Sequence, residues 1–216
     1  MEKVFHRSLF IDGPAGKLES LLWTPKTSEP AMAALVCHPH PLYGGTMHNK
    51  VVYAAAKTLH ALGLPVLRFN FRGAGLSEGA HDRGRGEQED VRAALNFLAA
   101  EYPGKPIVLG GFSFGSVVGL RVACADPRVT RIFGLGLPVN TADMTWLRDC
   151  PKPKLFIHGE NDEHGAVQKV QALVESLPEP CRLVVVPAAD HFFLHQLHRV
   201  EAALRDWMAQ DFSAPL

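Results

Sequence analysis

The stretch Gly111-Phe112-Ser113-Phe114-Gly115 decides how the rest of this chain reads. Pro106-Ile107-Val108-Leu109-Gly110 precedes it, an apolar run of strand length, and Ser116-Val117-Val118-Gly119-Leu120-Arg121-Val122-Ala123-Cys124 follows with helical character. Strand, sharp turn and helix form the setting in which a G-x-S-x-G turn lifts a serine hydroxyl above the end of a parallel sheet. The backbone at such a turn is strained, and a side chain at either flanking glycine would obstruct it. The motif therefore predicts a nucleophile at Ser113 and a parallel sheet beneath it.

Outward from the motif, the chain supplies that sheet. Toward the amino end, Val4 to Asp12 and Lys17 to Thr24 are strand-like and are joined by the turn cluster Gly13-Pro14-Ala15-Gly16, a hairpin at a sheet edge. Ala31 to Cys37 is nearly continuous in apolar residues, as expected of a strand covered on both faces. Lys50 to Leu62 puts Val52, Ala55, Ala56, Leu59 and Leu62 on one helical face, and Pro65 to Phe71 returns to strand. Glu87 to Tyr102 carries Val91, Ala94, Leu95 and Leu98 at helical spacing, with acids near its start where the helix dipole favours them. Toward the carboxyl end, Val129 to Leu137, Lys154 to His158 and Leu183 to Val186 read as strands. Val170, Leu173, Val174 and Leu177 mark one helix, and Leu197, Val200, Leu204, Trp207 and Met208 another. The expected fold class is α/β: one domain over residues 1–216, a mostly parallel sheet of about eight strands with helices on both faces.

Composition narrows the function. With 22 basic and 22 acidic residues the formal charge is zero, so the basic footprint of a nucleic-acid binder is missing. No apolar run reaches the ~18 residues of a membrane span, and Met1 to His6 lacks a secretion signal, so a cytoplasmic protein without membrane partners is expected. Cys37, Cys124, Cys150 and Cys181 stand singly, which favours reduced, mostly buried thiols over a disulfide framework or zinc.

In sheets of this class chemistry gathers at the carboxyl ends of the strands. A serine hydroxyl needs a base within reach and a carboxylate to hold that base in one tautomer. His191, in Asp190-His191-Phe192-Phe193, follows the last strand on a loop that can reach the serine. His158 closes a strand, His164 lies near the acid, and His195 and His198 fall within the last helical pattern. In His158-Gly159-Glu160-Asn161-Asp162 the acid candidate is Asp162, with Glu160 the fallback. The resulting order is Ser113, Asp162, His191.

These motifs, with His38-Pro39-His40-Pro41-Leu42-Tyr43-Gly44-Gly45 and Asn70-Phe71-Arg72-Gly73-Ala74-Gly75-Leu76-Ser77-Glu78-Gly79, span most of the chain in one order. The chain resembles the α/β-hydrolase superfamily, and within it a small lidless group similar to dienelactone hydrolases. Those enzymes carry cysteine at the elbow. Serine at position 113 instead favours generic ester chemistry on a small-molecule ester, with no cofactor and no metal. The resemblance implies that Ser113 attacks an acyl carbonyl, His191 moves the proton and Asp162 orients His191. It also implies an oxyanion hole of backbone N–H groups, one from Phe114 and one from the loop after Cys37. Pro39 and Pro41 have no N–H to give, so the second donor is His40, with Leu42 the alternative.

Pro138 to Pro151 leaves about a dozen residues where larger relatives of that fold insert a lid, so no cap domain and an open site are expected. Leu42, Tyr43, Phe112 and Phe192, with Phe114, Met144 and Trp146, are the apolar residues expected to line it. The H-x-H pair His38 and His40 could read as metal ligands, but no later segment offers matching ligands, and His38 is expected to pack under the loop and bond backbone. Gly73 to Gly79 approximates a dinucleotide fingerprint with its third glycine one residue late, and is read as a loop near the site with Arg72 structural.

Overall fold

The computed structural model describes residues 5–25 and 29–211. The hairpin forms from β1 (Phe5–Gly13) and β2 (Gly16–Thr24); Val4, expected to open it, lies outside the described residues. Six further strands follow: β3 (Ala33–Cys37), β4 (Val66–Phe69), β5 (Ile107–Phe112), β6 (Val129–Leu135), β7 (Lys154–Gly159) and β8 (Cys181–Val186). They join one eight-stranded sheet in the order β1-β2-β4-β3-β5-β6-β7-β8. The pairs β1/β2 and β2/β4 are antiparallel, and every pairing from β4/β3 through β7/β8 is parallel.

Helices α1 (Lys50–Ala61), α2 (Arg85–Glu101), α3 (Phe114–Ala125), α4 (Val167–Glu175) and α5 (Leu197–Met208) cover both faces. The period of two along each strand divides the core. Leu35 of β3 and Leu109 of β5 pack with Val91 and Leu95 of α2 and with Leu120 of α3. Their neighbours Val36 and Val108 point the other way, to Val52 and Leu59 of α1 and Leu204 and Trp207 of α5. A strand with both sets buried must read as a continuous apolar run, as β3 does. Each such side chain, fully buried, contributes about 1.5–3 kcal/mol relative to exposure.

Local signals fix the ends. Glu87 of α2 accepts hydrogen bonds from the N–H groups of Asp82 and Gly84, each at 2.8 Å, and so ties the loop ahead of the helix to its first turn. Asn49 accepts from Val51 N at 2.9 Å and caps α1. Between β6 and β7 the chain forms only a short 3-10 turn, Thr145–Asp149, so no cap domain rises over the sheet. No helix among the described residues is long and apolar enough to cross a membrane.

The cysteines depart from expectation. Cys124, at the end of α3, and Cys150 are joined in a disulfide, their Cα atoms 5.3 Å apart. The segment after β6 folds back onto α3 and buries Met144 and Leu147 in the same core, which brings together thiols 26 residues apart. Cys37 and Cys181 are free; burial pushes the Cys37 thiol far up and that of Cys181 up to about 11.

Candidate active site

The sheet reverses its order of growth between β3 and β5. From β3 the chain crosses by α1 to β4 on one side, and from β5 by α3 to β6 on the other, with the two helices on opposite faces. A crevice opens at the carboxyl ends of such neighbours. The loop after Cys37 and the turn at Ser113 meet there.

Ser113 sits between β5 and α3 at φ 53° and ψ −119°, a conformation that L-residues rarely adopt. The surroundings over-determine it. A methyl group on Gly111 would run into the backbone of Gly115 and Ser116, and one on Gly115 into the carbonyl oxygens of Cys37 and His38. The Ser113 N–H donates to Leu135 O at 2.9 Å, and the Ser116 hydroxyl donates to Ser113 O at 2.6 Å. Strand packing thus holds the serine at the base of the crevice, half-buried.

Asp162 follows β7 with its side chain fully buried. One oxygen, Oδ1, accepts the N–H groups of His164 at 2.8 Å and Gly165 at 3.2 Å. The other, Oδ2, lies 2.8 Å from Nδ1 of His191. A carboxylate can only accept there, so His191 carries its proton on Nδ1 and presents Nε2 as a free acceptor. The ring is packed against Phe112 at 4.8 Å, His164 at 4.4 Å and Phe192 at 5.3 Å between centroids. Below it Gly136, at φ 53°, leaves room; an added methyl would lie 3.1 Å from His191 Cε1.

Two other histidines brace this arrangement. His158 Nδ1 accepts Leu137 N–H at 3.2 Å, so its Nε2–H donates to Gly165 O at 2.6 Å. It ties the loop after β6 to the loop that holds Asp162. His38 Nε2 accepts Phe71 N–H at 2.9 Å, and its Nδ1 faces Pro39 O at 2.6 Å. Burial pushes the His38 imidazole down to about 3 and lowers that of His158, so both stay neutral at pH 7. Glu160, the fallback acid, instead accepts Ala188 N–H at 2.8 Å and fastens the turn after β8.

Residues 33–212 match the model of the alpha/beta hydrolase domain. The chain belongs to the alpha/beta hydrolases. It is similar to an alpha-beta serine hydrolase homologue from Coxiella burnetii, with 37% identity, a TM-score of 0.90 and coverage of 97% of this chain and 100% of that one. It is also similar to an α/β serine hydrolase without a lid from Xanthomonas campestris, at 35% identity and TM-score 0.87 over the whole of both chains. An uncharacterised protein of Rickettsia prowazekii is 36% identical over 209 residues, 93% of this chain and 87% of its own.

In this lidless hydrolase the loop after β3 folds around His40. Its carbonyl accepts Tyr43 and Gly45 N–H, each at 3.1 Å, and its Nδ1 accepts Leu42 N–H at 3.2 Å. Its ring packs on Phe114 at 4.7 Å and on His81 at 4.6 Å between centroids. His81, absent from the sequence-derived candidates, has Nδ1 2.7 Å from the buried Glu87 carboxylate but out of line for a hydrogen bond. Met47 is clamped on both sides, its N–H donating to Asn70 Oδ1 and its carbonyl accepting from Arg68 Nη1, each at 2.7 Å. No signal in the sequence marks His81 or Arg68, because His81 packs on His40 and Arg68 bonds Met47, each more than 20 residues away.

The expected apolar lining divides. Leu42 and Tyr43 stand on the rim, 68% and 87% exposed, and Phe192 is 50% exposed beside His191. Phe112 is fully buried, because its place in β5 turns it into the α1/α5 face of the core, where it supports His191 from below. Met144 is likewise core, and Trp146 packs under Arg121 at 4.9 Å. A cavity of about 820 Å³ adjoins the crevice beyond Phe192 and Gly44, with Ser113, Asp162 and His191 outside its lining.

The remaining motifs are structural. Arg72 donates through Nε and Nη2 to Asp90 at 2.7–3.1 Å, joining the loop after β4 to α2. Within Gly73 to Gly79, Leu76 N–H donates to Glu19 Oε2 and Glu78 N–H to Lys17 O, each at 2.8 Å, so the loop is laid on the hairpin. Both ring nitrogens of His38 are taken by backbone, which leaves the H-x-H pair without two free ligands.

Proposed function

We propose that this hydrolase cleaves carboxylic esters with small or short acyl groups through an acyl-enzyme on Ser113, with His191 as base and acid and Asp162 as its orienting carboxylate. The observation that carries this reading is the Asp162–His191 pair at 2.8 Å behind a serine held at φ 53°. Ser113 Oγ attacks the carbonyl carbon while its proton passes to His191 Nε2. The tetrahedral oxygen bears the charge and is held by backbone N–H groups of Phe114 and His40. Phe114 opens α3, where the first N–H groups have no intrahelical acceptor. Leu42 spends its N–H on the His40 ring, which favours His40 as the second donor. Collapse of the intermediate breaks the ester bond, and His191 returns its proton to the leaving oxygen. Water, activated by the same base, then releases the acid and regenerates the serine.

The lack of a cap and the exposed Leu42, Tyr43 and Phe192 favour an open site for compact substrates over long acyl chains. The test is labelling by a fluorophosphonate probe together with turnover of p-nitrophenyl acetate and butyrate. Ser113→Ala should abolish labelling and lower kcat by about 10⁴–10⁶-fold, with little change in thermal midpoint. Wild-type turnover in that variant would refute the nucleophile. A labelled protein that turns over thioesters or amides but not esters would move the reading to those substrates, and an unlabelled wild type would point to a non-catalytic binder.

A further inference from the structure

We infer that the cavity beyond Phe192 is a subsite for the leaving-group half of the substrate, and that it selects leaving groups ending in an anion such as a carboxylate or phosphate. The inference rests on the esterase reading above and adds a substrate class to it. Three observations lead there.

The first is position. In ester cleavage by this machinery the base protonates the leaving oxygen, so the alcohol departs on the His191 side. The cavity begins at Phe192 and Asp190, the two residues flanking His191, and its opposite wall is Gly44 to Val51, on the loop that continues from His40. The second is shape and surface. At about 820 Å³ the space accommodates an aromatic or branched alcohol, and Phe192, Leu194, Val51 and Leu197 offer apolar walls. The third is charge. Beyond the apolar walls the lining holds one cation, Lys50, on the Gly44 to Val51 wall and one acid, Asp190, on the wall next to His191, with the rings of His48, His195 and His198 as further polar groups. Asp190 Oδ1 accepts Leu194 N–H at 2.9 Å, which fixes that carboxylate on the His191 side and leaves Lys50 as the cation of the facing wall. Among the described residues no ion pair involves Lys50, His48, His195 or His198. A ligand that places apolar bulk near Phe192 and negative charge at Lys50 matches both parts of the surface.

The experiment compares acetyl esters of one size and different charge: 4-acetoxybenzoate, its methyl ester, and 4-acetoxyphenyl-trimethylammonium, each normalised to its rate of alkaline hydrolysis. The expected result is a kcat/KM preference for the anion over the neutral ester of about threefold to fivefold, which is the reach of an exposed charge pair. That preference should shrink when salt rises from about 20 mM to about 500 mM. It should invert in favour of the cation in Lys50→Glu. A preference unchanged by Lys50→Glu, or a wild type that favours the cation, overturns the inference. A second arm needs no turnover: 4-hydroxybenzoate is titrated into Ser113→Ala and followed by amide chemical shifts. Saturable shifts at Thr46 to Val51 and Leu194 to His198, weakened by Lys50→Glu, support the subsite even if no ester is cleaved, in which case only the esterase reading fails. Shifts confined to other regions, or none, refute the subsite whatever the esterase result.

Discussion

The floor beneath Ser113 and the rim above it are built on opposite principles. On the floor His38, His158 and Asp162 are buried and their polar atoms are spent inside the molecule, on Pro39, Phe71, Leu137, Gly165, His164 and His191. On the rim Leu42, Tyr43, Phe192 and Leu194 lie open, and Lys50 and the nearby histidines carry no structural bond among the described ion pairs. A polar network sealed from water must be fully satisfied, which makes it rigid and intolerant of change. A rim without such obligations can vary. The chemistry is therefore expected to reside in the floor, and substrate choice in the rim.

The largest effects should come from breaking the floor at its reacting end. Asp162→Asn keeps an oxygen for the His164 and Gly165 N–H groups but offers His191 Nδ1 an amide that can select the wrong tautomer. It should lower kcat by about 10³–10⁴-fold with the thermal midpoint nearly unchanged. A variant that retains kcat and gains only in KM would place the orienting acid elsewhere. His191→Ala should lose at least as much, since it removes the proposed base.

One step back from the reacting atoms, His158 joins two loops and touches no substrate position. Replacing it with leucine leaves the buried Leu137 N–H and Gly165 carbonyl without partners, which costs about 2–4 kcal/mol for the two groups. Urea unfolding should show that loss. Activity at saturating substrate should fall modestly, through displacement of Asp162. A loss of activity as deep as that of His191→Ala, in a protein of unchanged stability, would make His158 a participant and erase the distinction between brace and base.

The same division explains what could be read from the sequence. Ser113, Asp162 and His191 each follow an apolar run of strand length in a Gly- or Asp-containing turn, so their position at strand ends was legible, whereas the order of those strands in the sheet was not. Nor was the bracing of His158. Its partners lie 21 and 7 residues away, and nothing in the identity of Leu137 or Gly165 marks them as such. Phe112 was legible in principle: period two from Val108 turns it into the core, and its nearness to the serine concealed that. The Cys124–Cys150 pairing depends on how the segment after β6 folds back, which no local pattern encodes. The helical pattern predicts His195 inside the last helix, yet α5 starts at Leu197 and His195 sits before it at φ 60°, in the cavity wall.

The smallest of these effects concerns pH, and it separates buried from exposed histidines directly. His38 is held neutral, its folded value pushed from 6.5 down to about 3 by burial. In the unfolded chain the ring takes up a proton near the ordinary value, so between those limits the unfolded state binds more protons than the folded one. Stability is then fully present above the unfolded value and drains away as pH falls through that window. From pH 6.5 to about pH 5 this one group should cost about 1–2 kcal/mol. His158, lowered for the same reason, acts in the same direction. His38→Gln can still accept from Phe71 N–H, so it should be somewhat less stable than the parent at pH 7 and should lose less on acidification. Unfolding free energies measured across that range would decide it: parallel curves for parent and variant would mean that the floor's resistance to acid does not depend on keeping His38 dry.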